Sequence, residues 1–182
     1  MKTLGRLKDY TSINVVQGDF SVSADPDVML TTVLGSCVAA CLYDPVARVG
    51  GMNHFLLPGQ RSDCNESMSY GLNAMELLIN TMLKQGGKRS RFQAKLFGGG
   101  NMQQGFSDIG RKNAAFATDF LSCEGIPCMA QSLGGLTARR VRFWPTTGKA
   151  QVRVLKDSNI VETIPVKKRA IVPAAASDVE LF

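Results

Sequence analysis

The 182-residue chain contains a single histidine, His54, and five cysteines, none of them in a CxxC pair. One imidazole and no paired cysteines exclude the usual zinc-ligand spacings. An odd cysteine count argues against a disulfide framework and for the reduced thiols of a cytosolic protein. Apolar runs are short: none reaches the roughly 18 residues that span a bilayer. The opening "MKTLGRLKDYTSINVV" lacks an apolar signal core and a small-residue cleavage site, so the expectation is a cytoplasmic protein without a membrane anchor of its own. Acidic residues are in deficit, 15 against 21 Lys and Arg, for a net charge of +6. That balance favours encounter with an acidic partner. The basic residues are dispersed, however, with "VKKRA" (166–170) the densest run. No basic helix with interleaved aromatics marks a nucleic-acid face. Hydrophobic residues make up 45% and charged residues 20%, enough apolar mass for one cored domain.

Along the chain, "INVVQGDFSVS" (13–23) reads as a strand broken at Gly18, and "DVMLTTVL" (27–34) as a largely buried strand. "CVAACLYD" (37–44) and "RVGGMNHFLL" (48–57) form a hairpin around "DPVA", where Asp caps and Pro fixes φ. A helix is predicted over 66–84, with Gly71, Met75, Leu78 and Met82 as its apolar stripe, widened by Leu72 and Ile79 and stopped at Gly86-Gly87. A strand over 91–100 enters the Gly98–Gly100 bend. A second helix spans 109–125, with Ala114, Ala117, Phe120 and Leu121 inward. A short strand at 127–133, a hairpin over 138–157 turning at Pro145–Gly148, and a strand at 159–166 complete an α+β domain of about eight strands and two helices. Residues 1–172 form the domain and 173–182 a tail, whose "DVELF" ending has no assigned role.

The chemistry concentrates in "LGSCVAACLYDPVARVGGMNHFLLP" (34–58). Opposed residues of an antiparallel hairpin have a constant sum. A sum of 91 sets Cys37 opposite His54, with Cβ atoms roughly 4.5–5.5 Å apart; a sum of 92 turns them to opposite faces. A thiol beside an imidazole gains thiolate character, and the imidazole then serves the leaving group as acid. Gly35 and Ser36, immediately before Cys37, are candidates to turn backbone N–H groups toward a substrate carbonyl as an oxyanion site. Thr31, Thr32 and Asn53 are the nearest polar groups to orient the base. Cys41, Cys123 and Cys128 read as buried small hydrophobes and Cys64 as an exposed loop thiol.

The segment "TTVLGSCVAACLYDPVARVGGMNHFLLP" (31–58) strongly resembles CheD, the chemoreceptor glutamine deamidase family. The likeness continues through "AKLFGGGNM" (94–102), "IGRKN" (109–113), "LGGLTARRV" (133–141) and "TGKAQVRV" (147–154). It covers roughly residues 12–165. The resemblance implies an α/β sandwich of mixed sheets with flanking helices, similar in architecture to deamidating bacterial toxins. It places the catalytic Cys on Cys37, the His on His54 and a Thr on Thr31, with Thr32 as the neighbouring alternative. It further implies hydrolysis of a glutamine carboxamide through a cysteine thioester, with no metal or organic cofactor. The implied substrates are the cytoplasmic helices of methyl-accepting chemotaxis receptors, and CheC phosphatase is an implied partner. Gly98–Gly100 is a candidate for shaping the oxyanion site or groove, or simply a tight turn. Ser132 departs from the pattern, since relatives often carry an Asp two places before the paired glycines. Two other readings stay open: a thiol protease or acyltransferase, and an adaptor that binds chemotaxis proteins without catalysis.

Overall fold

A computed structural model describes residues 10–57, 64–101 and 108–155, the side chains of 64–67 excepted. Among the described residues, nine strands and two α-helices follow one another as β1 (Thr11–Asn14), β2 (Phe20–Ser23), β3 (Val28–Leu34), β4 (Val38–Asp44), β5 (Val49–Asn53), α1 (Cys64–Lys84), β6 (Gln93–Gly98), α2 (Ile109–Cys123), β7 (Cys128–Leu133), β8 (Arg139–Trp144) and β9 (Lys149–Val154). They build two mixed sheets. The first has the order β1-β3-β8-β9 and the second β2-β5-β4-β6-β7. In each, one parallel pair, β1 with β3 and β6 with β7, joins an otherwise antiparallel ladder.

The sheets stack face to face, and the helices cover the far side of the second sheet. Between the sheets lie Leu30, Leu34, Val141 and Phe143 from one side and Ala39, Cys41, Met52 and Phe97 from the other. Beneath the helices lie Val38, Ala40, Leu42, Ala94 and Leu96. Strand β4 is thus buried on both faces, which explains its continuous apolar run. Strand β3 alternates strictly between buried and half-buried, so it shields one face rather than two. The α1 stripe of Met75, Leu78, Ile79 and Met82 is fully buried. Each such side chain contributes roughly 1.5–3 kcal/mol of burial.

Leu72 is not part of that stripe. It is 42% exposed although it lies within about 20° of the buried Ile79 around the helix, because α1 is covered less completely at its N-terminal end, where residues 68–73 are exposed apart from Gly71. Cys123 and Cys128 are exposed rather than buried. The first sits in the last turn of α2, and the second begins β7, an edge strand exposed along most of its length. The strand expected at 159–166 and the tail at 173–182 lie outside the described residues.

Asp44 anchors the β4–β5 turn. Its carboxylate accepts the Val46 and Ala47 N–H groups, reaches the Lys88 N–H at 2.9 Å and pairs with Arg91 at 2.6 Å. Burial alone would raise this acid. The Arg91 guanidinium and three backbone donors outweigh burial and hold it well below the usual carboxylate range.

Candidate active site

After Leu34 the chain leaves the first sheet, bends through Gly35-Ser36-Cys37 and enters the second as β4. Three successive carbonyls of this crossover are held. Gly100 N–H donates to Gly35 O at 2.8 Å, Asn113 Nδ2 to Ser36 O at 2.9 Å and Gly99 N–H to Cys37 O at 2.7 Å. The described peptides are all trans, so fixing a carbonyl also fixes the direction of the next residue's N–H. The glycine run makes this close approach feasible. A Cβ on Gly98 would stand 2.1 Å from Cys37 O, and Gly98 and Gly99 both have positive φ. Asn113 is fully buried in α2 and also accepts the Leu57 N–H at 2.8 Å, tying the crossover to the segment beyond His54. Its signal in the sequence is a polar residue on the apolar stripe, one helical turn before Ala117.

The hairpin register differs from both sequence alternatives. Tyr43 pairs with Gly50 and Cys41 with Met52, a sum of 93 that the Val38–Phe55 bridge continues. The turn spans four residues, and Arg48 closes it in the left-handed region at φ 54°. Cys37 therefore lies opposite Leu56, and His54 opposite Ala39. The parity is the same as for 91, and Cys37 is buried between the sheets while the His54 ring meets the inward Thr32, so the two share the inter-sheet face.

His54 is 5% exposed. Its Nδ1 lies 2.9 Å from Thr32 Oγ1 and 3.2 Å from Val15 O. Thr32 gives its only hydroxyl hydrogen to Val15 O at 2.7 Å. Both neighbours of Nδ1 are thus acceptors, which assigns the ring proton to Nδ1. Nε2 then carries a bare lone pair, and it is buried with no hydrogen-bond partner among the described residues. Burial pushes the His54 pKa down, only partly countered by the Val15 carbonyl, so the neutral ring is favoured.

The threonine at the ring is Thr32, not Thr31. Adjacent strand residues face opposite ways: Thr32 is buried between the sheets, whereas the Thr31 hydroxyl donates to Val141 O at 3.0 Å. Asn53 faces away from the ring as well, donating to Ala74 O and accepting from the Ala40 N–H.

Gln17 escaped the sequence reading, and nothing in "VVQGD" singles it out. Its Oε1 accepts the Cys37 thiol at 3.3 Å. A small pocket of about 50 Å³ opens beside His54, lined among others by Asp19, Asn53, Tyr70, Asn73 and Leu77. The Tyr70 pKa is raised by burial first, then by negative charge at Cys37 and Asp19, so Tyr70 lies within electrostatic reach of the thiol.

Fold and site together define a two-sheet sandwich with a thiol on the crossover between the sheets and an oriented neutral imidazole on the same face. Comparisons with known proteins extend this. A family model described as "CheD chemotactic sensory transduction" matches residues 56–154, just over half of the chain and beginning two residues beyond His54. The "Probable chemoreceptor glutamine deamidase CheD" of Caulobacter sp. (strain K31) is 53% identical, covering 93% of this chain and 92% of that protein. The proteins of the same name from Agrobacterium fabrum (strain C58 / ATCC 33970) and Zymomonas mobilis subsp. mobilis (strain ATCC 31821 / ZM4 / CP4) are each 48% identical. They cover 93% and 97% of this chain, and 96% and 95% of their own lengths. The chain belongs to the CheD family. A solved structure, the Bacillus licheniformis hypothetical protein YfiH, shares 14% identity over 70% of this chain and 61% of its own, at a TM-score of 0.43. None of the described helices is long and apolar enough to cross a membrane.

Proposed function

We propose that this chain is a chemoreceptor glutamine deamidase that converts receptor glutamines to glutamates, with Cys37 as nucleophile and His54 as base. The observation that carries the reading is the oriented, neutral ring of His54, its Nδ1 held by Thr32 and Val15 and its Nε2 unprotonated, on the same sheet face as Cys37. A neutral imidazole whose Nδ1 proton is fixed by two acceptors has its Nε2 lone pair available to take a proton as a general base.

The thiol proton moves to His54 Nε2 as Sγ attacks the carboxamide carbon. The imidazolium returns that proton to the amide nitrogen as the C–N bond breaks, releasing ammonia and leaving a thioester on Cys37. Water gives a proton to Nε2, attacks the thioester carbon, and restores the thiol with glutamate as product. Each turnover consumes one water and releases one ammonia. The Ser36 and Cys37 N–H groups, with their planes set through the Gly35 and Ser36 carbonyls, are the oxyanion donors in this reading. Thr32 takes the ring-holding role expected of Thr31. With chemoreceptor cytoplasmic segments as substrates, this reading has the protein act in the cytoplasm. CheC as a partner rests on the family resemblance alone.

The test is mass spectrometry of a receptor cytoplasmic fragment incubated with wild type and with Cys37→Ala. Amide-to-acid mass gains at particular glutamines with wild type only are expected. Chain cleavage would point instead to a thiol protease. An unchanged fragment in both reactions would favour the adaptor reading.

A further inference from the structure

Among the described residues, the four strands of the first sheet carry charge of one sign. Its four strands, TSIN, VMLTTVL, RRVRFW and KAQVRV, contain no Asp or Glu. Arg139, Val141 and Phe143 turn inward and are buried, so Arg140 and Arg142 stand outward and exposed. The β8–β9 register sets Arg153 directly opposite Arg140 and Lys149 opposite Trp144, with Lys149 Nζ 5.3 Å from the Trp144 ring. Among the described residues, no ion pair joins Arg140, Arg142, Lys149 or Arg153 to a carboxylate. Like charges directly opposed across a ladder destabilise it, so this block carries a cost that folding does not explain.

Its position is informative. Arg140 pairs with Val33 and Arg142 with Thr31 on β3, the strand that runs directly into Gly35-Ser36-Cys37. The basic block therefore flanks the strand that delivers the nucleophile. The outward side chains of β8 repeat every two residues, roughly 6.6 Å, close to the spacing of carboxylates one turn apart on a helix.

We propose that the outward face of β8 and β9 is a docking surface for an acidic peptide segment of the protein substrate, flanking the reacting glutamine. The inference rests on the deamidase reading, which also supplies a reason for acidity. Each turnover makes a glutamate, so a substrate with several reactive glutamines becomes more acidic as it is processed. The face holds carboxylates already made while the next carboxamide reaches Cys37.

The experiment compares two synthetic peptides carrying the same glutamine, one flanked by glutamates and one by serines, followed by ammonia release. Wild type is expected to prefer the acidic peptide by about tenfold in kcat/KM at low ionic strength, the preference fading with salt. In Arg140→Gln/Arg142→Gln, and independently in Lys149→Gln/Arg153→Gln, the preference falls while the serine-flanked rate is unchanged. Retention of the full preference in both variants overturns the proposal and leaves the deamidase intact. Failure of wild type to release ammonia from either peptide sinks the deamidase reading instead; fluorescence anisotropy of the labelled acidic peptide then still decides docking, which requires tighter binding to wild type than to both variants. Tighter binding of a DNA duplex than of the acidic peptide, lost in the same variants, would reassign the face to nucleic acid and overturn the proposal.

Discussion

The Thr32 hydroxyl stands 2.9 Å from Nδ1 of His54 while giving its own hydrogen to Val15 at 2.7 Å. That pairing assigns the ring proton to Nδ1 and leaves the Nε2 lone pair unprotonated. Thr32→Ala removes the acceptor and lets the ring tilt, so kcat is expected to fall roughly 10²-fold, the scale of a misplaced catalytic group. Thr32→Ser keeps the oxygen and should recover most of the rate. Thr31→Ala cuts only the bond to Val141 and should leave the chemical step within about twofold, the scale of a change made away from the reacting groups. Ammonia release under single-turnover conditions separates the three. A larger loss in Thr31→Ala than in Thr32→Ala would return the positioning role to Thr31.

The pH profile follows from burial of the same ring. Its pKa lies below the ordinary imidazole value of 6.5, burial being the main cause. The neutral base therefore persists at mildly acidic pH. The acid limb of kcat/KM is expected below the ordinary imidazole range, where the folded enzyme finally takes up the proton. The unfolded chain binds that proton earlier, so this histidine also erodes stability as pH falls through 6.5 toward its depressed value. An acid limb above 6.5 would contradict the assigned environment.

Asp44 and Arg91 supply a stability test remote from the chemistry. The Asp44 side chain is fully buried and meets Arg91 at 2.6 Å. Arg91→Met leaves the carboxylate with backbone donors only and should cost about 2 kcal/mol in urea unfolding, the worth of a hydrogen bond to a buried charge. Because the folded Asp44 pKa is depressed, its contribution is complete above the ordinary value of about 4 and is lost as pH falls through the folded value. The gap between wild type and Arg91→Met should therefore narrow in acid. A gap independent of pH would mean that packing, not charge, sets the cost.

Much of this architecture was legible in the chain. The two helices, the Asp-Pro hairpin and the strand leading into Gly98–Gly100 all announce themselves through periodicity and turn chemistry. What stayed hidden were choices of register and face. Adjacent threonines in "LTTVL" are both polar and both β-branched, so alternation alone does not say which one turns inward. The hairpin sum depends on turn length, and a non-glycine residue, Arg48, takes the left-handed position that closes it. Cys128 has strand composition, but edge position is a property of the whole sheet. Gln17 and Asn113 act through contacts made 20 and 77 residues away, on Cys37 and Ser36, and no local pattern encodes those.

Gln17 gives the last prediction. Its amide oxygen accepts the Cys37 thiol hydrogen at 3.3 Å. Gln17→Glu would set a carboxylate in that place with almost no change of shape. A negative charge so near disfavours the thiolate, so the Cys37 pKa should rise. Deamidation at neutral pH should slow by about tenfold, corresponding to a one-unit shift in the fraction of thiolate, and should recover as pH is raised. Gln17→Ala removes the acceptor without adding charge and should change the rate far less. Alkylation of Cys37 by iodoacetamide across pH reads the thiol directly, whatever the substrate. Coincident alkylation curves for wild type and Gln17→Glu would mean that the Gln17 side chain does not lie against the Cys37 thiol in solution.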